Sequence, residues 1–153
     1  MYRTHASPLV YRSTLFGVDA LDPLSGESRW SWATGMQHVG GELPVHVRVD
    51  RDMVLFLGTL ARDQQHFRAL VCLDASRGAL RWIHNLEPLY PAAQCQILLV
   101  ACGEVLVLTG SAPYPITVGI SRADGRRLWA RQEPYPARPV LSVEGHSESC
   151  DRA

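Results

Sequence analysis

Three segments of the chain repeat one another, and this recurrence constrains the fold more tightly than any single residue does. They are Ala20-Leu-Asp-Pro-Leu-Ser-Gly-Glu-Ser-Arg-Trp30, Cys72-Leu-Asp-Ala-Ser-Arg-Gly-Ala-Leu-Arg-Trp82 and Gly119-Ile-Ser-Arg-Ala-Asp-Gly-Arg-Arg-Leu-Trp129. Each runs from a small residue through Asp22, Asp74 or Ser121 to Gly26, Gly78 or Gly125, and ends on a tryptophan four positions later. The tryptophans are 52 and 47 residues apart, and Glu87-Pro88 and Glu133-Pro134 extend the likeness past the second and third copies. A unit recurring at such a period is one supersecondary element that buries its faces only by stacking on its neighbours.

Each segment reads as a β-hairpin, because an apolar run enters a turn rich in Asp and Gly and leaves through a short run ending in tryptophan. The turn glycine is expected to supply a positive φ. Before the second hairpin, Val45–Val49 alternates, Met53–Leu57 is an apolar run, and Phe67–Leu73 leads into the turn. That makes four strands per repeat. The third repeat has the same arrangement in Ile97–Ala101, Glu104–Thr109, Ile116–Ile120 and Arg126–Arg131, with Gly103, Gly110, Pro113 and Asp124-Gly125 between them. No helix of ordinary length is suggested. The repeats are expected at about 1–38, 39–90 and 91–136, with 137–153 a C-terminal strand and polar tail.

Four short antiparallel strands repeating about every 50 residues are the blade pattern of a β-propeller. Ala20, Asp22, Ser25, Gly26 and Trp30 match A-x-D-x-x-[ST]-G-x-x-x-W, so the chain resembles the pyrroloquinoline-quinone (PQQ)-type propellers that carry this tryptophan-docking motif. The second copy departs at Cys72 and Arg77, and the third at Gly119, Ser121 and Asp124. The resemblance covers about residues 8 to 136 and implies an all-β fold of about three four-stranded blades, a partial or assembled propeller. It implies structural docking roles for Asp22, Gly26, Trp30, Asp74, Gly78, Trp82, Gly125 and Trp129, each tryptophan packing on the glycine turn of the next blade.

Propellers usually have 4–8 blades, so an arc this short leaves its end faces open. The chain is then a segment of a larger propeller, a ring closed by self-association or by another subunit, or a small stack capped by its own ends. Quinone-binding relatives hold cofactor and calcium at the axis of a complete ring, beside a disulfide of adjacent cysteines. This chain has no Cys-Cys pair and a single asparagine, Asn85. Other relatives of this type are non-catalytic binding platforms.

Composition removes further classes. Lys+Arg and Asp+Glu are 15 each, a formal net charge of +0, which disfavours a general nucleic-acid coat. Every basic residue is arginine, so neither a P-loop lysine nor Schiff-base chemistry is available. No secretory signal and no apolar run of about 18 residues is seen, so a soluble chain without membrane insertion is expected and a cytoplasmic setting favoured.

The four cysteines, Cys72, Cys95, Cys102 and Cys150, read as buried thiols, with Cys95 and Cys102 in the core beside an apolar strand. His146 and Cys150 supply two metal ligands where four are needed, and His5, His38, His46, His66 and His84 show no ligand spacing. There is no G-x-S-x-G elbow, and Asp50, Asp52 and Asp63 read as solvated turn carboxylates. No catalytic residue, cofactor or metal is assigned. Tyr90, Tyr114 and Tyr135, in connections rich in proline, are candidate partner contacts, and Arg126, Arg127 and Arg131 are a candidate anion patch. The expected function is a non-catalytic protein-binding or assembly module with a protein partner or self-association. The alternative is part of a quinone-dependent oxidoreductase whose other blades come from another chain or from oligomerisation.

Overall fold

The computed structural model describes residues 8–14, 17–33, 46–62, 65–86, 97–110 and 115–134, and all regular structure among them is β. The first sheet contains β1 (Val10–Ser13), β2 (Gly17–Leu21) and β3 (Ser28–Ala33). In the second are β4 (His46–Asp50), β5 (Met53–Arg62), β6 (Gln65–Asp74) and β7 (Leu80–Asn85). The third holds β8 (Ile97–Cys102), β9 (Val105–Gly110), β10 (Ile116–Ser121) and β11 (Arg127–Gln132). Strands adjacent in sequence pair antiparallel in every sheet. The architecture is that of partial propeller blades. No helix among the described residues is long and apolar enough to cross a membrane.

The β5–β6 hairpin extends beyond the apolar run Met53–Leu57, because its ladder continues to the pair Arg62↔Gln65. Hydrophobic patterning underestimates such a strand, since backbone pairing outlasts the part that faces a core.

The three motif hairpins share one backbone. Gly26, Gly78 and Gly125 donate N–H bonds to the carbonyls of Asp22, Asp74 and Ser121, at 2.8, 2.8 and 2.9 Å. Their φ values are 74°, 70° and 73°, in the left-handed region where a glycine has no Cβ penalty. A register shift follows Ala20, Cys72 and Gly119 alike, and bulges of this kind re-aim the outgoing strand. Asp22 and Asp74 also accept amide hydrogens from the turn, at 2.8 Å from Leu24 and 3.0 Å from Ser76. Ser121 has no such carboxylate, and Asp124 instead accepts from the Arg126 amide at 2.9 Å.

The period-2 alternation of the second sheet feeds two cores. Met53, Leu55, Leu70 and Cys72 are buried with Leu106 and Leu108 of the third sheet. Val54, Phe56, Val71 and Leu73 face the other way and are buried with Val18 of the first, beneath Tyr11, Trp30 and Trp32. Full burial of one such side chain contributes about 1.5–3 kcal/mol, so the middle sheet, apolar on both faces, carries the stack.

The outer side of the first sheet is mixed, with Val10 and Leu21 beside a polar cluster. Arg12, Asp19 and Ser31 lie opposite one another across its three strands, with Arg12 paired to Asp19 at 3.2 Å and the Ser31 hydroxyl donating to Asp19 at 2.8 Å. At the far end of the stack, every residue of β11 is exposed.

Candidate functional site

The motif tryptophans stand at the ends of the hairpins, and their surroundings differ. The Trp30 indole N–H donates to the Ala75 carbonyl at 3.1 Å, and a Cβ built on Gly78 would come 2.4 Å from its ring. Tyr11 joins it, donating its hydroxyl to the same Ala75 carbonyl at 2.8 Å with ring centroids 5.7 Å apart. Burial, then the charge of Asp74, raises the Tyr11 phenol above its ordinary value.

Trp82 has the same relation to the third sheet. Its indole N–H donates to the Arg122 carbonyl at 2.9 Å, and a Cβ on Gly125 would lie 2.4 Å from its ring. Two residues on, His84 donates through Nδ1 to the Gly125 carbonyl at 2.8 Å. Burial holds this imidazole below its ordinary pKa, aided by the nearby Arg127 charge and opposed by the hydrogen bond.

Trp129 has no described turn to pack on and is 44% exposed. It lies against its own sheet, where a Cβ on Gly119 would come 2.3 Å from the indole nitrogen. At the opposite end of the stack, a Cβ on Gly26 would meet nothing within 4 Å. Among the described residues, one end therefore carries a motif tryptophan without a turn, and the other a motif turn without a tryptophan.

The charged groups are mostly neutralised in pairs. Asp74, taking hydrogen bonds from Ser76 and Arg81, is held well below the ordinary carboxylate range. Arg81 also reaches Asp52 at 2.9 Å and lowers its pKa. Asp22 is lowered by Arg29, 2.6 Å away, and by turn amides. A general acid needs a raised carboxyl pKa, and these three are shifted the other way. Among the described residues, no group of three or more His, Cys, Asp and Glu side chains could hold a metal ion.

Two readings of the sequence are corrected. Asp50 is not a solvated turn carboxylate: it pairs with Arg122, which is buried and also donates through Nε to the Gly103 carbonyl at 2.8 Å. Cys102 is not a core thiol. It closes β8 beside the Gly103-Glu104 turn and is exposed, as the alternation of that strand ends there. Among the described residues the buried thiol is Cys72, pushed up to about 11 by desolvation and thus a poor nucleophile.

Arg122, Tyr11 and His84 were not singled out as contact residues by sequence. Arg122 alone left a signal, a charged residue at the turn position held by Pro23 and Ala75 in the other copies. Tyr90, Tyr114 and Tyr135 lie outside the described residues, as do Cys95, His146 and Cys150. Arg126, Arg127 and Arg131 are exposed along the last hairpin.

A PQQ-repeat family model, described as outer membrane protein assembly factor BamB, matches residues 16–150. No curated protein matches the chain.

Proposed function

The chain belongs to the PQQ-repeat family described for outer membrane protein assembly factor BamB, and from that premise we propose that it is a non-catalytic protein-binding or assembly module. One observation carries the reading. Trp129, in the position that closes the other two repeats onto a neighbouring sheet, is 44% exposed at the end of the stack. An aromatic ring with an indole donor, held on a rigid strand, has the character of an interface anchor. Around it β11 is exposed throughout and among the described residues is paired only to β10, so its outer backbone edge is a place for strand addition. The family description names an assembly factor, which supports a binding role over a chemical one.

The test is cross-linking of the purified chain with candidate polypeptides, followed by mass spectrometry of the linked sites. Linked sites are expected to concentrate on β11 and to disappear in Trp129→Ala, with the far-ultraviolet circular dichroism unchanged. Tight quinone binding in the presence of calcium would overturn the reading and favour an oxidoreductase completed by another chain.

A further inference from the structure

We propose that the partner of Trp129 is the Asp22–Gly26 turn of a second copy, so that two chains close head to tail into one ring. The inference rests on the protein-binding reading and names the partner. Both halves of a contact that the molecule already makes twice are present, at opposite ends of one chain.

The match extends to individual groups. In the two internal contacts, the acceptor for the indole N–H is the carbonyl three residues before the turn glycine, that of Ala75 or Arg122. The corresponding carbonyl in the first turn is that of Pro23, and an acceptor carbonyl is the one hydrogen-bonding group that proline keeps. Gly26 has the φ of its counterparts, and the side on which a Cβ would project is clear to 4 Å. Position 84, two beyond Trp82, donates to the turn glycine's carbonyl. Its counterpart beyond Trp129 is Arg131, a strong donor that is 77% exposed and loosely paired with Glu133 at 3.7 Å. Glu27, exposed on the rim of the first turn, is a carboxylate that an arginine of the run Arg126, Arg127 and Arg131 could pair with.

Blade number selects the stoichiometry. Each chain supplies three sheets among its described residues, so two chains make six blades from these, within the usual range of 4–8, whereas three chains would exceed it. The outer side of the first sheet is polar at Arg12, Asp19 and Ser31. It offers the Trp129 end less apolar surface than the second sheet offers Trp30. The contact between chains therefore depends on the indole and the turn, and the dimer is weaker than the internal contacts and dependent on concentration.

Sedimentation velocity over a concentration series tests this. The wild-type chain is expected to shift from 17.0 kDa towards twice that mass as concentration rises. Trp129→Ala should weaken the dimer by about thirty-fold or more, the scale of an interface hot spot. Gly26→Asn should do the same while folding normally, since asparagine tolerates positive φ and the site is open. Arg131→Glu should weaken it less. Mixing the Trp129→Ala and Gly26→Asn chains should give a dimer stronger than either variant alone forms but weaker than wild type, because the mixed pair restores one of the ring's two contacts. A wild-type chain that stays monomeric throughout overturns the proposal, and so does a dimer that survives both substitutions or a mixture that fails to recover. Cross-links from Trp129-bearing β11 to a different polypeptide, found with a monomeric chain, would sink self-pairing and leave the protein-binding reading standing.

Discussion

Trp30 and Trp82 make the same pair of contacts, an indole N–H on a turn carbonyl and a ring against a turn glycine. Trp82 is nevertheless 7% exposed, and Trp30 only half-buried. The difference lies around them. First strands meet at both junctions, β1 against β4 and β4 against β8, but at the second junction polar groups are added: Arg48 donates to the Leu99 carbonyl, and Arg51 in the following turn pairs with Glu104 at 3.2 Å. The first sheet has three strands among the described residues, and the half-buried rings of Tyr11, Trp30 and Trp32 rim the core it shares with the second. The motif determines where two sheets meet, and the side chains around each tryptophan determine how much is buried there.

The sharpest way to break this comparison is to truncate both tryptophans and follow urea unfolding. Trp82→Ala is expected to cost about 3–5 kcal/mol, the range for a buried aromatic. Trp30→Ala should cost about half as much, because less of its surface leaves water on folding. Equal losses would mean that the difference in exposure between the two rings is irrelevant. Next come the turn glycines. Alanine at Gly26, Gly78 or Gly125 suffers the same left-handed backbone penalty of about 1–2 kcal/mol. At Gly78 and Gly125 the new methyl also meets an indole, which should add about 1–3 kcal/mol. Melting temperatures of the three variants would separate the two costs, and a Gly26→Ala as damaging as Gly125→Ala would refute the geometry.

The third prediction concerns a feature without a counterpart between the first two sheets. Asp50→Asn leaves the buried Arg122 guanidinium without its compensating charge. Breaking a fully buried pair costs about 3–5 kcal/mol, but Asp50 keeps some solvent contact, so about 1–3 kcal/mol is expected. Replacing both members with leucine should recover much of the loss, since apolar packing often equals a buried pair. No recovery in the double variant would show that the hydrogen bond from Arg122 to Gly103 matters more than the charge.

These cases mark what the sequence conveyed. The hairpins, their glycine conformations and the two cores were legible because they depend on local offsets and on period-2 alternation within a single strand. The Asp50–Arg122 pair was not, because the two residues come from different repeats and meet only when the sheets stack. Tyr11 sits on a short strand, and its bond to Ala75 has no pattern in the primary structure. The exposure of Cys102 follows from where β8 ends, and a boundary one residue different changes whether a thiol is inside. The open ends at Gly26 and Trp129 were legible only as an incomplete blade count, without the geometry that makes one complement the other.

The smallest expected effects have opposite signs at the two contacts, which makes them a sensitive test of independence. His84 faces the Gly125 turn with its pKa held below the ordinary value, so the folded chain prefers the neutral ring and unfolding takes up a proton. Stability from this contact is full above about pH 6.5 and falls as pH drops through the ordinary histidine value towards the depressed one. Tyr11 is raised, so its contribution is full below about pH 10 and is lost as pH rises through its folded value. Each change should be smaller than that of Asp50→Asn. His84→Gln retains a side-chain donor but cannot titrate, and should flatten the acid limb alone; Tyr11→Phe should flatten the alkaline limb alone. At the first contact the residue two beyond the tryptophan is Trp32, packed edge-on to Phe56 at 5.8 Å, and its indole does not titrate between pH 5 and neutral. Hydrogen exchange at pH 5 should therefore show faster opening of the Gly125 turn while the Gly78 turn stays as protected as at neutral pH. Acid loosening both turns equally would mean that the two contacts open as one unit.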